Sequence, residues 1–259
     1  MFRILKNECI IKFDLKAVSP LCIRSGESVE LDPSLPDSQF IRSFHDGEDE
    51  VVMPGSSIKG VFRSRAEKLL VGSCDIFGQQ SCTKKIRRLE NDLPIQEKYR
   101  NSCPACRMFG NTYLKSRVEF KDAYPDGSVK LSTRHNVGID RVTGASKRSS
   151  LFETEILEEG TFKAEILIKN FFLWQIKILI QIFDDINEGY VTFGGITSRG
   201  FGRMHVENVE IVVREYGNCE PSEFYKEQHF TLDEMRDKVK NIPLNESEIG
   251  KVETNERIL

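Results

Sequence analysis

The chain has 259 residues, of which 39% are hydrophobic and 30% charged, enough to bury a substantial core and too apolar for wholesale disorder. Its formal net charge of −3, taken as a whole, argues against a nucleic-acid binder, which must meet dense phosphate charge. No apolar run approaches the roughly 18 residues of a membrane span, and the alternating start MFRILKNECIIKFDLK lacks the apolar centre of a signal peptide. These features predict a cytoplasmic chain whose 7 cysteines stay reduced unless a metal claims them. The average charge hides a segregation. Residues 59–148 hold 19 basic and 9 acidic side chains, a net +10, whereas residues 1–58, 149–215 and 216–259 carry −4, −5 and −4.

In chain order, period-two alternation predicts a first strand over Ile10–Val18, with Ile11, Phe13, Leu15 and Ala17 on one face. A polar stretch, Ser25–Glu50, is too long for a passive connection and reads as a functional loop or as disorder. Pro54-Gly55 forms a turn, after which Ser56 or Ser57 is a candidate cap for a helix whose apolar side is Ile58, Val61, Phe62, Ala66, Leu69 and Leu70. Residues 71–117 have little regular pattern. Strands are predicted over Val118–Tyr124, Lys130–Ile139 and Thr161–Lys169, with a polar loop over Gly138–Ser150. A helix over Leu173–Asn187 ends at Gly189. A short strand at Val191–Phe193, a glycine-rich loop and a strand over Arg203–Val213 follow. This order suggests an α+β fold of the ferredoxin type carrying large insertions. Residues 216–259 read as an acidic tail with one amphipathic stretch near Phe230–Val239.

Cys74, Cys82, Cys103 and Cys106 form the sharpest chemical signal. A CxxC turn places two thiolates on one edge of a tetrahedral Zn²⁺ site, and a second pair supplies the other edge. The alternatives are unliganded cysteines or a redox CxxC, but a redox motif follows a strand at a helix start, and that context is missing here. A zinc site would be structural, holding an insertion that has no core of its own. Cys9, Cys22 and Cys219 sit in apolar or alternating surroundings.

Three further segments point to a polyanion. Gly194-Gly195-Ile196-Thr197-Ser198-Arg199-Gly200-Phe201-Gly202-Arg203 offers close backbone approach, N–H donors and two arginines, though a tight turn between strands has the same composition. The helix after Pro54 opens with Ser56 and Ser57 and carries Lys59 and Arg63 four apart, an anion site or a solvated face. Arg134-His135-Asn136 through Arg141, Thr143-Gly144 and Lys147-Arg148 read as a strand entering a basic loop, the alternative being a hairpin with no binding role.

Taken together, PGSSIKGVFRS at 54–64, RHNVGIDRVTGAS…LFETEIL at 134–157 and GGITSRGFGRM at 194–204 resemble the RAMP superfamily of CRISPR-associated proteins. The likeness is strongest to the backbone (Csm/Cmr-type) subunits of type III effector complexes. The resemblance implies an RRM-like domain over residues 1–215 with a zinc-binding insertion at 71–117 and a thumb-like hairpin at 134–157, followed by the tail at 216–259. It implies guide-RNA contacts from Ser56, Ser57, Lys59, Arg63, Gly194, Gly195, Ser198 and Arg199, and from Arg134, His135 and Arg141 on the thumb. The implied partners are CRISPR RNA, target RNA, other effector subunits and copies of the chain itself in a filament.

The resemblance also implies target-RNA cleavage by an aspartate on the loop before the PGSS motif. Asp37 is the best match and Asp32 the second. The alternatives are a non-catalytic architectural RNA-binding subunit of the same complex and a guide-processing endoribonuclease of the same superfamily, which would need a His, Tyr or Lys acid–base set. A carboxylate in the ordinary range near ~4 is a poor base at neutral pH. Asp37 is therefore cast as a ligand for Mg²⁺ or another divalent cation and its water, or as a positioner of the attacking 2′-hydroxyl. His45, eight residues on, is read as part of an acidic surface loop.

Overall fold

The computed structural model describes residues 4–25, 36–89, 93–217, 223–244 and 249; Asp32 and Cys219 lie outside them. The strands are β1 (Asn7–Ala17), β2 (Arg42–His45), β3 (Glu48–Val51), β4 (Val118–Phe120), β5 (Tyr124–Pro125), β6 (Lys130–Ile139), β7 (Ser146–Glu159), β8 (Thr161–Lys169), β9 (Met204–Glu215) and β10 (Lys226–Thr231). The helices are α1 (Gly55–Leu69), α2 (Cys82–Leu89), α3 (Ile95–Arg100), α4 (Pro104–Phe109), α5 (Leu173–Asn187) and α6 (Leu232–Val239). The fold is mixed α+β, and its paired strands are antiparallel.

Alternation in β1 buries Cys9, Ile11, Phe13 and Leu15 and turns Lys12 and Lys16 outward, as the period of two requires. Around β1 the main sheet runs β10-β9-β1-β8-β4, with β5 also on β8. Helices α1 and α5 cover its inner face. Phe13 of β1, Phe62 of α1 and Phe183 of α5 meet there, with ring centroids 4.8 to 6.4 Å apart. Such tilted and edge contacts add to area burial.

The outer face of the two central strands carries Glu8, Ile10, Lys12, Asp14 and Lys16 from β1 and Thr161, Lys163, Glu165, Leu167 and Lys169 from β8. None of these ten is aromatic. Asp14 is buried there, held by Lys163 Nζ at 2.9 Å and by Asn208 Nδ2 at 2.8 Å.

Five local expectations change, the first being that the strand expected over Val191–Phe193 is reduced to a single bridge between Thr192 and Arg203, because the glycine-rich turn begins at once. The loop expected over Gly138–Ser150 is short, because β6 and β7 form a hairpin whose connection spans only residues 140–145. Polar residues can populate this hairpin because most of its outer half is solvated and needs no apolar alternation. Residues 71–117, patternless in sequence, hold the three short helices α2, α3 and α4. The strand expected over Val118–Tyr124 splits into β4 and β5, both on β8. Within the expected tail, β10 extends the sheet edge on β9, and α6 buries Met235 and Val239 in the core.

Candidate nucleic-acid interface and metal centre

Helix α1 begins without a side-chain cap from either serine; Pro54 occupies the N-cap position. Its first N–H is satisfied from 67 residues away, Gly55 donating to Asp122 Oδ1 at 2.7 Å, while Ser57 and Ile58 donate back to Pro54 O. Gly55 is required by packing, since a Cβ there would stand 2.2 Å from Phe120 O. Ser56 is exposed and Ser57 partly so. Lys59 is half-buried, and desolvation together with the charge of Arg63 pulls its pKa below the ordinary lysine value.

Arg63, expected beside Lys59 on an RNA-facing side, is turned to a different task. Its Nε donates to Glu67 Oε1 at 2.8 Å, Nη1 to Gly110 O at 3.1 Å and Nη2 to Cys106 Sγ at 3.8 Å.

The four cysteines converge as their spacing predicts. Their sulfurs all lie within 4.8 Å of one another, and Cys74 Sγ and Cys106 Sγ are 3.8 Å apart. A tetrahedral Zn²⁺ with Zn–S bonds of ~2.3 Å needs sulfurs ~3.8 Å apart, so the donor set and its geometry fit the ion. Backbone N–H groups already face the sulfurs: Cys103 N donates to Cys82 Sγ at 3.1 Å, and Cys106 N to Cys103 Sγ at 3.5 Å. Hydrogen bonds from Cys106 and Cys82 draw the Cys103 thiol far below the ordinary thiol range, while the contact with Cys103 raises the thiols of Cys106 and Cys82, so the cluster concentrates its negative charge on Cys103. Buried Arg107 stiffens the turn from behind, its Nε donating to Ser102 O at 2.8 Å and Nη2 to Arg100 O at 3.1 Å. Cys9 and Cys22 are buried elsewhere and free.

The glycine-rich loop contains a single 3-10 turn, Thr197–Arg199, and two of its glycines, Gly194 and Gly202, serve the chain's own packing. A Cβ on Gly194 would stand 2.3 Å from Cys22 O, and one on Gly202 2.1 Å from Phe193 O. Both residues have positive φ, 73° and 83°, which favours glycine. Gly195 N donates to Cys22 O at 2.7 Å. Gly202→Ala is therefore expected to lower Tm by roughly 2–4 °C or more, measured by thermal unfolding; an unchanged Tm would show that the turn relaxes freely. Ser198 and Arg199 remain exposed at the tip.

The hairpin β6–β7 gathers the other candidates. Arg199 Nη1 donates to Asn136 Oδ1 of β6 at 3.1 Å, which brings the glycine loop onto the hairpin. On the far edge of β7, Asp37 Oδ2 accepts from Glu153 N at 2.7 Å. The segment carrying Asp37 continues along β7: Ser38 N donates to Glu153 O, and Glu155 N to Ser38 O. A bidentate pair then locks it, Arg42 Nη1 and Nη2 meeting Glu155 at 2.9 and 2.7 Å, while Phe40 N donates to Glu155 Oε2 at 2.8 Å. Sequence reasoning gave no role to Glu155, Asn136 and Asp122, whose partners Arg42, Arg199 and Gly55 are more than 60 positions away. His135 sits opposite Glu153, its Nδ1 3.1 Å from the carboxylate. Arg134 lies 3.9 Å from Glu158, and Arg141 is exposed in the connecting turn. His45 stacks on Tyr124 with centroids 3.8 Å apart.

A groove of about 290 Å³ joins α1 to the segment entering the glycine loop; Gly60, Ser64, Arg65, Lys68, Tyr190 and Thr192 line it. Over residues 14–205 the sequence matches the family profile described as the RAMP superfamily. The chain belongs to the RAMP superfamily. No curated protein matches it. The matched region of this RAMP protein includes α1, the cysteine cluster, the hairpin and the glycine loop, and membership carries a CRISPR-associated, RNA-binding role. RAMP proteins in general bind CRISPR RNA and other effector subunits. Among the described residues, no helix is long and apolar enough to cross a membrane.

Proposed function

We propose that this RAMP protein is a backbone subunit of a type III CRISPR effector complex that holds guide RNA and cleaves the paired target RNA at Asp37. The observation that carries this reading is the hairpin with its two attachments. The Asp37 segment is bonded to one strand through Glu153, and the glycine loop is tied to the other through Arg199 and Asn136. A candidate cleavage residue and a candidate phosphate-binding loop thereby share one element.

The strand order supports an RRM-like, ferredoxin-type core: β1-α1-β4-β8-α5-β9 folds into the spatial order β9-β1-β8-β4. RRM domains stack bases on aromatic residues of their central strands. The outward residues of β1 and β8 supply none, so RNA contact in this reading runs over α1, the loops and the hairpin. The distal hairpin fits a wedge between stacked bases. Val137 and Leu151 pair across the strands, and with Ile139 and Val142 they expose an apolar strip, Val142 being 94% accessible. Such a strip is costly in water and gains from contact with base faces.

At the target, the RNA's own 2′-hydroxyl supplies the nucleophile once the strand is kinked. Asp37 is exposed, and its carboxylate keeps one oxygen beyond the one bonded to Glu153. Among the described residues no group of three or more metal-binding side chains includes Asp37. A divalent cation such as Mg²⁺ at this position would complete its shell with water and phosphate oxygens, as that ion commonly does. A non-catalytic architectural subunit is the second reading, favoured by the structural use of Asp37 as an acceptor for Glu153 N.

Guide binding tests the RNA reading. Lys59→Ala and Arg199→Ala are each expected to weaken binding to single-stranded guide RNA without sequence preference, and to reduce the slope of log K against log salt by ~0.7. Filter binding across a salt series checks this; slopes equal to the wild type would remove both residues from the interface.

A further inference from the structure

We propose that Arg63 is the outer partner of the four-cysteine metal centre, a positioning residue that locks the loaded centre to helix α1. This inference rests on the metal reading of the cysteines and is independent of any cleavage role. All three guanidinium nitrogens are engaged. Glu67, one turn on, holds Nε, and the other two nitrogens reach the end of α4, at Gly110 O and at Cys106 Sγ. A surface helix pair would need only Glu67; the two further bonds cross to the cysteine turn.

Electrostatics favours this arrangement. Four thiolates around Zn²⁺ leave a formal charge of about −2, and a cation in hydrogen-bond contact with one sulfur offsets part of it. The far anchor is closely packed: Gly110 has φ 83°, and a Cβ there would meet Leu114 O and Ser116 N at 2.8 Å. The planar fork of arginine spans carbonyl and sulfur together, whereas an ammonium is a point donor. Through Arg63, the metal centre is connected to the helix that presents Lys59 one turn earlier.

Outer partners of metal ligands typically contribute 10–100-fold in affinity. Full-length wild type, Arg63→Gln and Arg63→Lys would be titrated with Zn²⁺ against a chromogenic chelator, and their Co²⁺ forms compared by sulfur-to-metal absorption. Zinc affinity is expected to fall about 10–100-fold in Arg63→Gln and to recover only partly in Arg63→Lys. Zinc-loaded Arg63→Gln is expected to bind guide RNA with the wild-type salt slope. Zinc affinity within about twofold of wild type in Arg63→Gln would overturn the proposal, as would a loaded variant that loses salt slope while keeping its zinc affinity. The latter outcome would return Arg63 to the RNA interface. If Arg63→Gln fails to fold, Glu67→Gln removes the brace and is expected to release zinc more readily; unchanged retention overturns the proposal. Wild-type protein that holds no zinc would remove the metal reading itself, a result distinct from retention that is insensitive to Arg63.

Discussion

Stripping the metal with a chelator, or replacing Cys103 with Ser, is expected to unfold the segment 71–117 and to destabilise the whole chain. The helices of this segment are short: α2 has eight residues, and α3 and α4 six each, with none buried in α3. Isolated helices of that length are marginal in water. The apolar side chains buried in the segment are few beyond the cysteines themselves, chiefly Ile86, Ala105, Met108 and Phe109. Structural zinc contributes about 10–16 kcal/mol of apparent binding free energy at neutral pH, far more than those contacts. The effect should spread, because Met108 and Phe109 belong to the main core and Phe109 stacks over Phe120 beside α1. Hydrogen exchange should show residues 74–110 losing protection first, with Tm falling in parallel. Cys74→Ser should be milder than Cys103→Ser, since Cys74 lies at the partly exposed edge while Cys103 is buried and hydrogen-bonded to its neighbours. Unchanged exchange after quantitative zinc removal would mean that the four thiols pack as ordinary core residues.

In an assembled complex, Asp37→Ala is expected to reduce target-RNA cleavage by about 10²–10⁴-fold, the range for a positioned group that acts on the reacting centre, with guide binding intact. The chain around Asp37 should survive the change. Phe40 N, Ser38 and the Arg42–Glu155 pair hold the same segment to β7 without it. Asp37→Asn separates two roles: the amide oxygen can still accept from Glu153 N, while the charge is gone. If Asp37 acts on the metal or the 2′-hydroxyl, Asn is as defective as Ala. If it only fastens the segment, Asn cuts like wild type. Regularly spaced cuts of unchanged rate in both variants would overturn the Asp37 assignment and shift attention to Asp32, whose own Ala variant belongs in the same assay.

Local periodicity carried most of the regular structure. The alternation in β1 and β8, the apolar spacing of α1 and the long apolar run of α5 each state their partner surface within a few residues, so β6, β8 and α5 begin and end where pattern predicts. The CxxC turn and its second pair likewise announced a convergent cluster, because ligand chemistry demands specific residue types. The insertion helices were illegible for the complementary reason: they are too short for periodicity and are held by sulfur and arginine contacts.

By itself, the sequence determined the basic middle of +10 within a chain of net −3, the cysteine set and the order of the three family segments. Composition, residue type and spacing along the chain are sufficient for each of these. Only the tertiary structure decided what the individual charges and glycines do. It turned Arg63 from the expected RNA face to Cys106, gave the N–H of Gly55 to Asp122, spent Gly194 and Gly202 on close backbone packing, and set Asp37 on β7. Each outcome depends on a partner far away in sequence, and a hydrogen bond or a steric contact is defined by distance in space. The excess positive charge of residues 59–148 is therefore divided: part of it is consumed inside the protein, at the cysteine turn and in ion pairs, and the rest, Arg141 among it, stays exposed to solvent.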